Sequence, residues 1–311
     1  MTKPIPLRLG GYGPSTTCFS LALKRIGDRI KAEFGDEVDI KYVWNVMDLG
    51  YKAEDLLWLV EDGLLTLSYQ SSSYFTSRAP ALEALDLPFV FRSNEEARAA
   101  MDGALGAAVS HALEDNMNYR ILGYFENGFR HVSNKLRPVR SPADLAGMRI
   151  RVLPSRIQAR TFELLGATPL VLDLTEAIKG VVEGNIDAQE NPFANTVTYG
   201  VHKFHRFHTK TNHSYLSRPV FLNRTQYDGF PPRLREALAI AVRDAVAYQR
   251  ELGVEEDRAA RAQILAQGCE ILELSAAEHE RFKAAVKPLY AETRAVHKGG
   301  LMDLLPGLGS A

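Results

Sequence analysis

Arg151 is the residue whose type and position most directly suggest chemistry. It lies in residues 148–153 (MRIRVL), an alternating apolar pattern that predicts a β-strand with Arg149 and Arg151 on one face. A Pro-Ser break follows, so the arginine falls near the end of the strand, where open α/β sheets bind their ligands. From this pattern alone, a ligand-binding arginine and a charged residue on a solvated edge strand are equally consistent.

Other polar clusters follow predicted strands. Residues 70–74 (QSSSY) offer hydroxyls and an amide that suit a polar ligand. A serine nucleophile is disfavoured, because no Gly-x-Ser-x-Gly motif surrounds these serines and no histidine partner is evident. The glycine-rich residues 10–17 (GGYGPSTT) lack the P-loop lysine and the dinucleotide-binding spacing. An ordinary βα turn is therefore favoured there over an anion site at a helix N-terminus.

Four histidines within twelve residues raise a metal hypothesis: His202, His205, His208 and His213. Lys203, Arg206 and Lys210 interleave with them, and so much positive charge discourages the binding of a cation. We therefore predict a surface-facing basic segment and no metal site.

Composition narrows the class of protein. The chain has 311 residues, which suggests two domains, and 37 basic against 38 acidic residues give a net charge of −1. Nothing in this balance favours nucleic acid or an anionic membrane, and no apolar run reaches transmembrane length. The N-terminus lacks a signal-peptide core, which predicts a cytoplasmic protein or a mature exported one. Cys18 and Cys269 are far apart and are predicted to be two buried thiols rather than a disulfide.

The order of elements predicts an α/β protein. Short apolar runs alternate with helical patterns and glycine turns, as in βαβ units. A helix is predicted from Cys18 to Phe34, ended by Gly35. A long helical pattern covers about residues 233–267; at ~1.5 Å per residue it would span about 50 Å and tie two lobes together. The last helix, residues 276–296, is predicted to break at Pro288, and residues 298–311 are predicted to be partly disordered.

Several ordered blocks together resemble the DctP-like solute-binding proteins of TRAP transporters. The blocks are residues 87–91 (LPFVF), 127–130 (NGFR), 144–152 (DLAGMRIRV), 165–169 (LGATP), 175–177 (TEA), 187–192 (DAQENP) and 211–213 (TNH). They run through most of the chain, and their common order makes the resemblance specific where any one of them would not be.

The resemblance implies a two-lobed periplasmic-binding-protein fold, with a ligand cleft between the lobes and a long helix spanning both. Lobe I would comprise residues 1–127 plus 217–256, and lobe II residues 128–216 plus 257–311. The implied function is capture of a small organic acid in the periplasm and its delivery to the membrane permease. The implied protein is a monomer that binds no nucleic acid, needs no cofactor and is not an enzyme.

The resemblance also implies site residues. Arg151 would pair bidentately with the ligand carboxylate, Arg130 would assist, and Asn191 would hydrogen-bond the same end. The remaining members of the implied ligand-binding set are Tyr12, Tyr69, Gln70, Ser71, Ser72, Phe89, Leu174 and His213. The hydroxyls, amide and aromatic faces of residues 12 and 69–73 suggest a carboxylate ligand with a polar or ring-containing body.

The sequence departs from the family pattern at Thr66, near Ser71 and at residues 202–203 (HK). Two alternatives stay open: a periplasmic ligand-sensing domain, and a hydrolase or metal enzyme that uses the serine or histidine cluster. Identity of the organic acid does not follow from the sequence.

Overall fold

The computed structural model describes residues 3–308, which form nine strands and eleven α-helices joined by loops and 3₁₀ turns. The strands are β1 (Ile5–Gly10), β2 (Val38–Val43), β3 (Leu67–Tyr69), β4 (Tyr119–Asn134), β5 (Arg149–Val152), β6 (Thr168–Val171), β7 (Ala188–Asn191), β8 (Phe207–Asn223) and β9 (Glu270–Glu273). The helices are α1 (Cys18–Phe34), α2 (Leu56–Glu61), α3 (Asn94–Met101), α4 (Ala104–Asn116), α5 (Arg156–Leu164), α6 (Leu174–Val182), α7 (Phe193–Thr198), α8 (Arg224–Gly229), α9 (Pro232–Ala266), α10 (Ala276–Val286) and α11 (Pro288–Val296). No helix within residues 3–308 combines the length and apolarity needed to cross a membrane.

The chain forms two compact units. The first contains the described residues up to Ser71, Ser110–Glu126 and Ser217–Glu256; the second contains Ser72–Val109, Asn127–Leu216 and the described residues from Asp257 onward. Strands β4 and β8 and helix α9 each contribute residues to both units. The α/β class and the long helix are confirmed, whereas the ligand cleft stays a prediction.

One predicted boundary differs from the structure. Residues 72–109 were assigned to lobe I, but Ser72–Val109 packs within the second unit. Backbone contacts explain the difference: Phe89 N donates to the carbonyl of His213 at 2.9 Å, and Tyr290 Oη donates to the carbonyl of Pro88 at 2.8 Å. The rest of the predicted division stays a prediction.

The first unit is built on β1, which pairs in parallel with both β2 and β3, while β3 pairs antiparallel with the C-terminal part of β8. Helix α1 begins at Thr17, its N-cap, whose side chain accepts a hydrogen bond from Ser20 N. It buries Leu23, Ile26 and Ile30 at helical spacing. Gly35, with a φ of 51°, ends it. The predicted helix Cys18–Phe34 is confirmed.

The second unit is built on β7, which pairs antiparallel with β4 and in parallel with β5; β5 in turn pairs with β6. Ile150, Val152 and Ala188 are buried in one apolar core together with Phe162 of α5 and Phe282 of α10. Because strand side chains alternate, the polar residues between them point to the opposite face.

The C-terminal segment departs partly from its prediction. Helix α11 starts at Pro288, which confirms the break. Gly300–Leu304 and Pro306–Leu308 form 3₁₀ turns in which Leu301 and Met302 are buried, so this part is packed rather than disordered. Residues 309–311 lie outside the described residues.

Candidate functional site

Arg151 is a buried arginine near the end of β5. Its exposed fraction is 1%, and among residues 3–308 no carboxylate lies within salt-bridge distance of its guanidinium. Burying a charge without a partner is costly. The expectation of a solvated edge strand is therefore wrong for this position.

The guanidinium of Arg151 is oriented by backbone. Nε and Nη2 donate to the carbonyl of Leu172 at 3.0 and 2.8 Å. The pairing of β5 with β6 places that carbonyl beside Arg151. Leu172 directly follows β6, and its N–H donates to the carbonyl of Val152 at 3.3 Å. Nη1 makes no hydrogen bond with a described residue. Nη1 therefore remains available for one of the two parallel bonds that a carboxylate makes with the Nη1–Nη2 edge.

Tyr74 and Leu174 lie beside this arginine. Tyr74 Oη is 3.5 Å from Arg151 Nη2, and the backbone of Leu174 lies near the phenol. Leu174 is the first residue of α6, whose N-cap is Asp173. Burial raises the pKa of Tyr74, so the phenol keeps its proton. In the sequence, Tyr74 is the last residue of the polar cluster 70–74, but it is absent from the ligand-binding set that the resemblance implies.

Asn191 lies on the same face of the sheet as Arg151. The pairing of β5 with β7 aligns Arg151 with Gln189, and Asn191 is two residues further along β7. Asn191 Nδ2 donates to Gln189 Oε1 at 2.7 Å. Gln189 Nε2 donates to Thr196 Oγ1 at 3.0 Å and to Ser133 Oγ at 3.2 Å. This chain of amides and hydroxyls fixes the orientation of the Asn191 side chain.

Arg130 and His213 belong to a different network. Arg130 is 1% exposed and pairs with Glu190, which is fully buried: Nε donates to Oε2, and Nη2 donates to Oε1 at 2.7 Å. His213 Nε2 lies 3.3 Å from the same Oε2. Burial alone would raise the pKa of Glu190, but the Arg130 guanidinium outweighs it and lowers that pKa to about 2.

This pairing bears on what is expected of Arg130. Glu190 follows Gln189 on β7, so it points to the opposite face from Asn191. The charge of Arg130 is matched inside the protein by Glu190, and its predicted contact with the ligand carboxylate stays a prediction. Glu190 was overlooked because it is 60 residues from its partner along the chain.

Phe89 is placed in the core of the second unit. Its ring packs edge-on against His279 with centroids 5.1 Å apart, and it also contacts the cluster around Phe162. Its φ of 55° is unusual for a residue with a side chain. The hydrogen bond from its N–H to the carbonyl of His213 holds that conformation.

The remaining predicted residues divide at the unit boundary. In the first unit, Tyr12 and Tyr69 have ring centroids 5.4 Å apart. Gln70 is used internally: Nε2 donates to Ala53 O at 2.7 Å, and Oε1 accepts from Ser71 N at 2.8 Å. Ser71 Oγ in the first unit and Ser72 Oγ in the second are both buried without a hydrogen-bond partner among the described residues. Neither serine therefore has the hydrogen-bonded base that a nucleophile needs.

Arg218 is a second residue that the sequence did not single out. It is 3% exposed in the first unit, where its guanidinium carbon lies 3.9 Å from the ring centroid of Phe19 and 5.1 Å from that of Tyr12. These are cation–π distances. The one sequence signal for Arg218 was a charged residue directly before the apolar run 219–222 of the predicted strand.

The histidine segment is buried, which corrects the predicted surface-facing segment. His202, His205 and His208 are each at most 2% exposed. His205 Nδ1 lies 3.0 Å from Ser133 Oγ, and burial lowers the pKa of His205 to about 3. Within residues 3–308 no group of three or more histidine, cysteine or acidic residues is arranged to hold a metal ion. Cys18 is buried as predicted, but Cys269 is only half-buried; both are free thiols.

Comparisons with known proteins agree with this architecture. A family model, DctP, "Bacterial extracellular solute-binding protein, family 7", matches residues 10–295. The 2,3-diketo-L-gulonate-binding periplasmic protein YiaO of Escherichia coli is 30% identical over 252 residues, which is 81% of this chain and 76% of that protein.

Solved structures show the same fold. The sugar acid binding protein of Advenella mimigardefordensis in complex with galactonate superimposes with a TM-score of 0.93 at 22% identity, covering 99% of each chain. A TRAP periplasmic solute-binding protein from Sulfitobacter with bound β-D-galacturonate gives a TM-score of 0.91 at 22% identity, covering 97% of this chain and 99% of that one. The chain belongs to the DctP family of bacterial extracellular solute-binding proteins.

Proposed function

We propose that this protein is the extracytoplasmic solute-binding subunit of a TRAP transporter. It binds a small organic acid through its carboxylate in the periplasm and delivers it to the membrane permease. The family match and the periplasmic relative support this role. We further propose that it acts as a monomer and catalyses no reaction.

The single observation that carries the proposal is that Arg151 is buried and has no carboxylate partner among the described residues. A buried guanidinium that, among residues 3–308, bonds only a carbonyl and a phenol still carries a full positive charge. An external carboxylate supplies the missing counter-charge and accepts from both Nη atoms. Each charge-assisted hydrogen bond contributes roughly 1.5–3 kcal/mol, so a bidentate pair accounts for a large part of a micromolar affinity.

We propose a sugar acid as the ligand class. Galactonate, galacturonate and diketogulonate are named for the three proteins compared above. In the second unit, Ser72 offers a buried hydroxyl without a partner among the described residues. Hydroxyl-rich ligands satisfy such groups, whereas a hydrocarbon chain leaves them unpaired.

A thermal-shift screen tests the proposal. D-galacturonate, D-galactonate and succinate are compared with D-galactose, the neutral counterpart of galacturonate. A ligand at a hundred times its Kd stabilises the folded state by about 2.7 kcal/mol, so a matching acid raises the melting temperature and galactose leaves it unchanged. A shift with galactose and none with any acid contradicts the proposal.

A further inference from the structure

Asp86 is a buried carboxyl group in the second unit that the proposed function does not use. Its exposed fraction is 1%, and it ends the 3₁₀ segment Pro80–Asp86. Oδ1 accepts a hydrogen bond from Ser73 Oγ at 2.7 Å, while Oδ2 is buried without a hydrogen-bond partner among the described residues. An interior carboxyl with an unpaired oxygen lowers stability, so packing alone does not explain it.

The two charged groups that act on Asp86, Arg130 and Glu190, are paired with each other, and Glu83 on the same 3₁₀ segment is also paired. Arg130 of β4 bonds Glu190 of β7, and Arg156 of α5 bonds Glu83 of the same 3₁₀ segment. His297 also bonds Glu83, and Asp303 of the packed C-terminal turn is exposed. Burial raises the pKa of Asp86 to about 6, against the lowering effect of Ser155, Ser73 and Arg130. Among residues 3–308, no cationic side chain forms a salt bridge with this carboxyl.

Ser73 is the residue through which Asp86 contacts the rest of the unit. Besides donating to Asp86, Ser73 Oγ accepts from Gln158 Nε2 of α5 at 3.1 Å. Thr76 Oγ1 donates to the carbonyl of Ser73 at 2.9 Å. Ser73 is thereby held at both its side chain and its backbone, and it lies in the 3₁₀ turn Ser72–Phe75.

That turn carries Tyr74, whose phenol lies beside Arg151. Tyr74 Oη lies 3.5 Å from Arg151 Nη2, a donor, and no described residue accepts a hydrogen bond from it. A phenol has one proton to donate. Because no described residue accepts that proton, it is available to a third group, and a ligand carboxylate bound by Arg151 is an acceptor at that place.

We propose that Tyr74 donates a hydrogen bond to the bound carboxylate and that Asp86 is the positioning residue for it, acting through Ser73 on the turn Ser72–Phe75. This inference rests on the proposed function, since it assigns two more residues to the same carboxylate site. Its ligand is therefore any small organic acid that Arg151 binds.

Titration calorimetry on the full chain tests the inference with D-galacturonate, D-galactonate and succinate as probes. Ser73→Ala and Tyr74→Phe each weaken binding of the acids that the wild type binds by about five- to tenfold, the worth of one hydrogen bond. Because Ser73 acts only through Tyr74, the double variant should lose no more affinity than Tyr74→Phe alone, which is at most about tenfold relative to the wild type. Asp86→Asn retains an acceptor for Ser73 and recovers most of the affinity lost in Asp86→Ala.

Ser275→Ala is the matched control. It removes the N-cap hydroxyl of α10 and lowers stability, but leaves affinity unchanged. If Asp86→Ala does not fold, Ser73→Ala and the double variant decide. Wild-type affinity in folded Ser73→Ala, or additive losses of about fiftyfold in the double variant, overturns the inference while leaving the proposed function in place. A wild type that binds none of the three acids overturns both.

Discussion

The carbonyl oxygen of Leu172 accepts two hydrogen bonds from Arg151, from Nε at 3.0 Å and from Nη2 at 2.8 Å. A backbone acceptor fixed by strand pairing therefore sets the plane of the guanidinium. Such preorganisation lowers the entropy lost when a carboxylate binds. It also predicts that lysine, which lacks a planar fork, cannot replace this arginine.

The buried pair of Arg130 with Glu190 is predicted to be structural. Glu190→Gln leaves the guanidinium of Arg130 buried without a counter-charge, and we expect a loss of about 3–5 kcal/mol in the free energy of unfolding, measured by urea denaturation. Lys24→Ala removes one partner of an exposed pair, Lys24–Asp28, and should cost no more than about 0.5 kcal/mol. Equal losses in the two variants contradict a structural role for Glu190.

The buried histidines predict a loss of stability in mild acid. Burial lowers the pKa of His205 to about 3 and that of His208 to about 4, whereas the unfolded chain has a histidine pKa of about 6.5. Below about pH 6.5 the unfolded state binds protons that the folded state does not, so stability falls as the pH falls. The slope is up to about 1.4 kcal/mol per pH unit for each histidine.

Urea unfolding between pH 7.5 and 5 measures this slope. His205→Gln should make it shallower by nearly one proton, while His111→Gln, at an exposed position on α4, should leave it unchanged. Asp86 acts in the opposite sense, because its raised pKa costs stability as the pH increases from about 4 to 6. For this reason the slopes of the two variants are compared with that of the wild type. Equal slopes in the wild type, His205→Gln and His111→Gln would show that His205 does not cause the pH dependence.

Asn191 is predicted to act as a hydrogen-bond donor to an anion. Asn191→Ala should weaken binding of the best acid from the screen by roughly five- to tenfold. Asn191→Asp places a negative charge against the ligand and should weaken it by roughly a hundredfold or more. The same change at the exposed Asn185 is the control and should have no effect. Calorimetry that finds Asn191→Asp as tight as the wild type removes Asn191 from the site.

Local patterns predicted the elements well. The spacing of Leu23, Ile26 and Ile30 is enough to define α1, and the length of the pattern before Gln267 is enough to define α9. Such signals depend only on neighbours three or four residues apart. For Arg151, the local pattern predicted the strand, which is confirmed as β5, whereas its role in binding a carboxylate came from the resemblance and stays a prediction.

Partners distant in the chain were not predictable. Whether Arg130 is matched by Glu190 depends on the pairing of β4 with β7, which no local pattern specifies. The same holds for His205, whose lysine- and arginine-rich surroundings indicated the surface although its ring bonds Ser133 in the interior. Tyr74 and Arg218 gain their significance only from the side chains that folding brings to them.

The most direct measurement is the calorimetric affinity of wild type and Arg151→Lys for the acid that gives the largest thermal shift. We expect binding in the wild type and a loss of about a hundredfold or more in Arg151→Lys, with cooperative unfolding retained. Equal affinity of the two proteins for the acid contradicts the assignment of Arg151 as the group that binds the carboxylate.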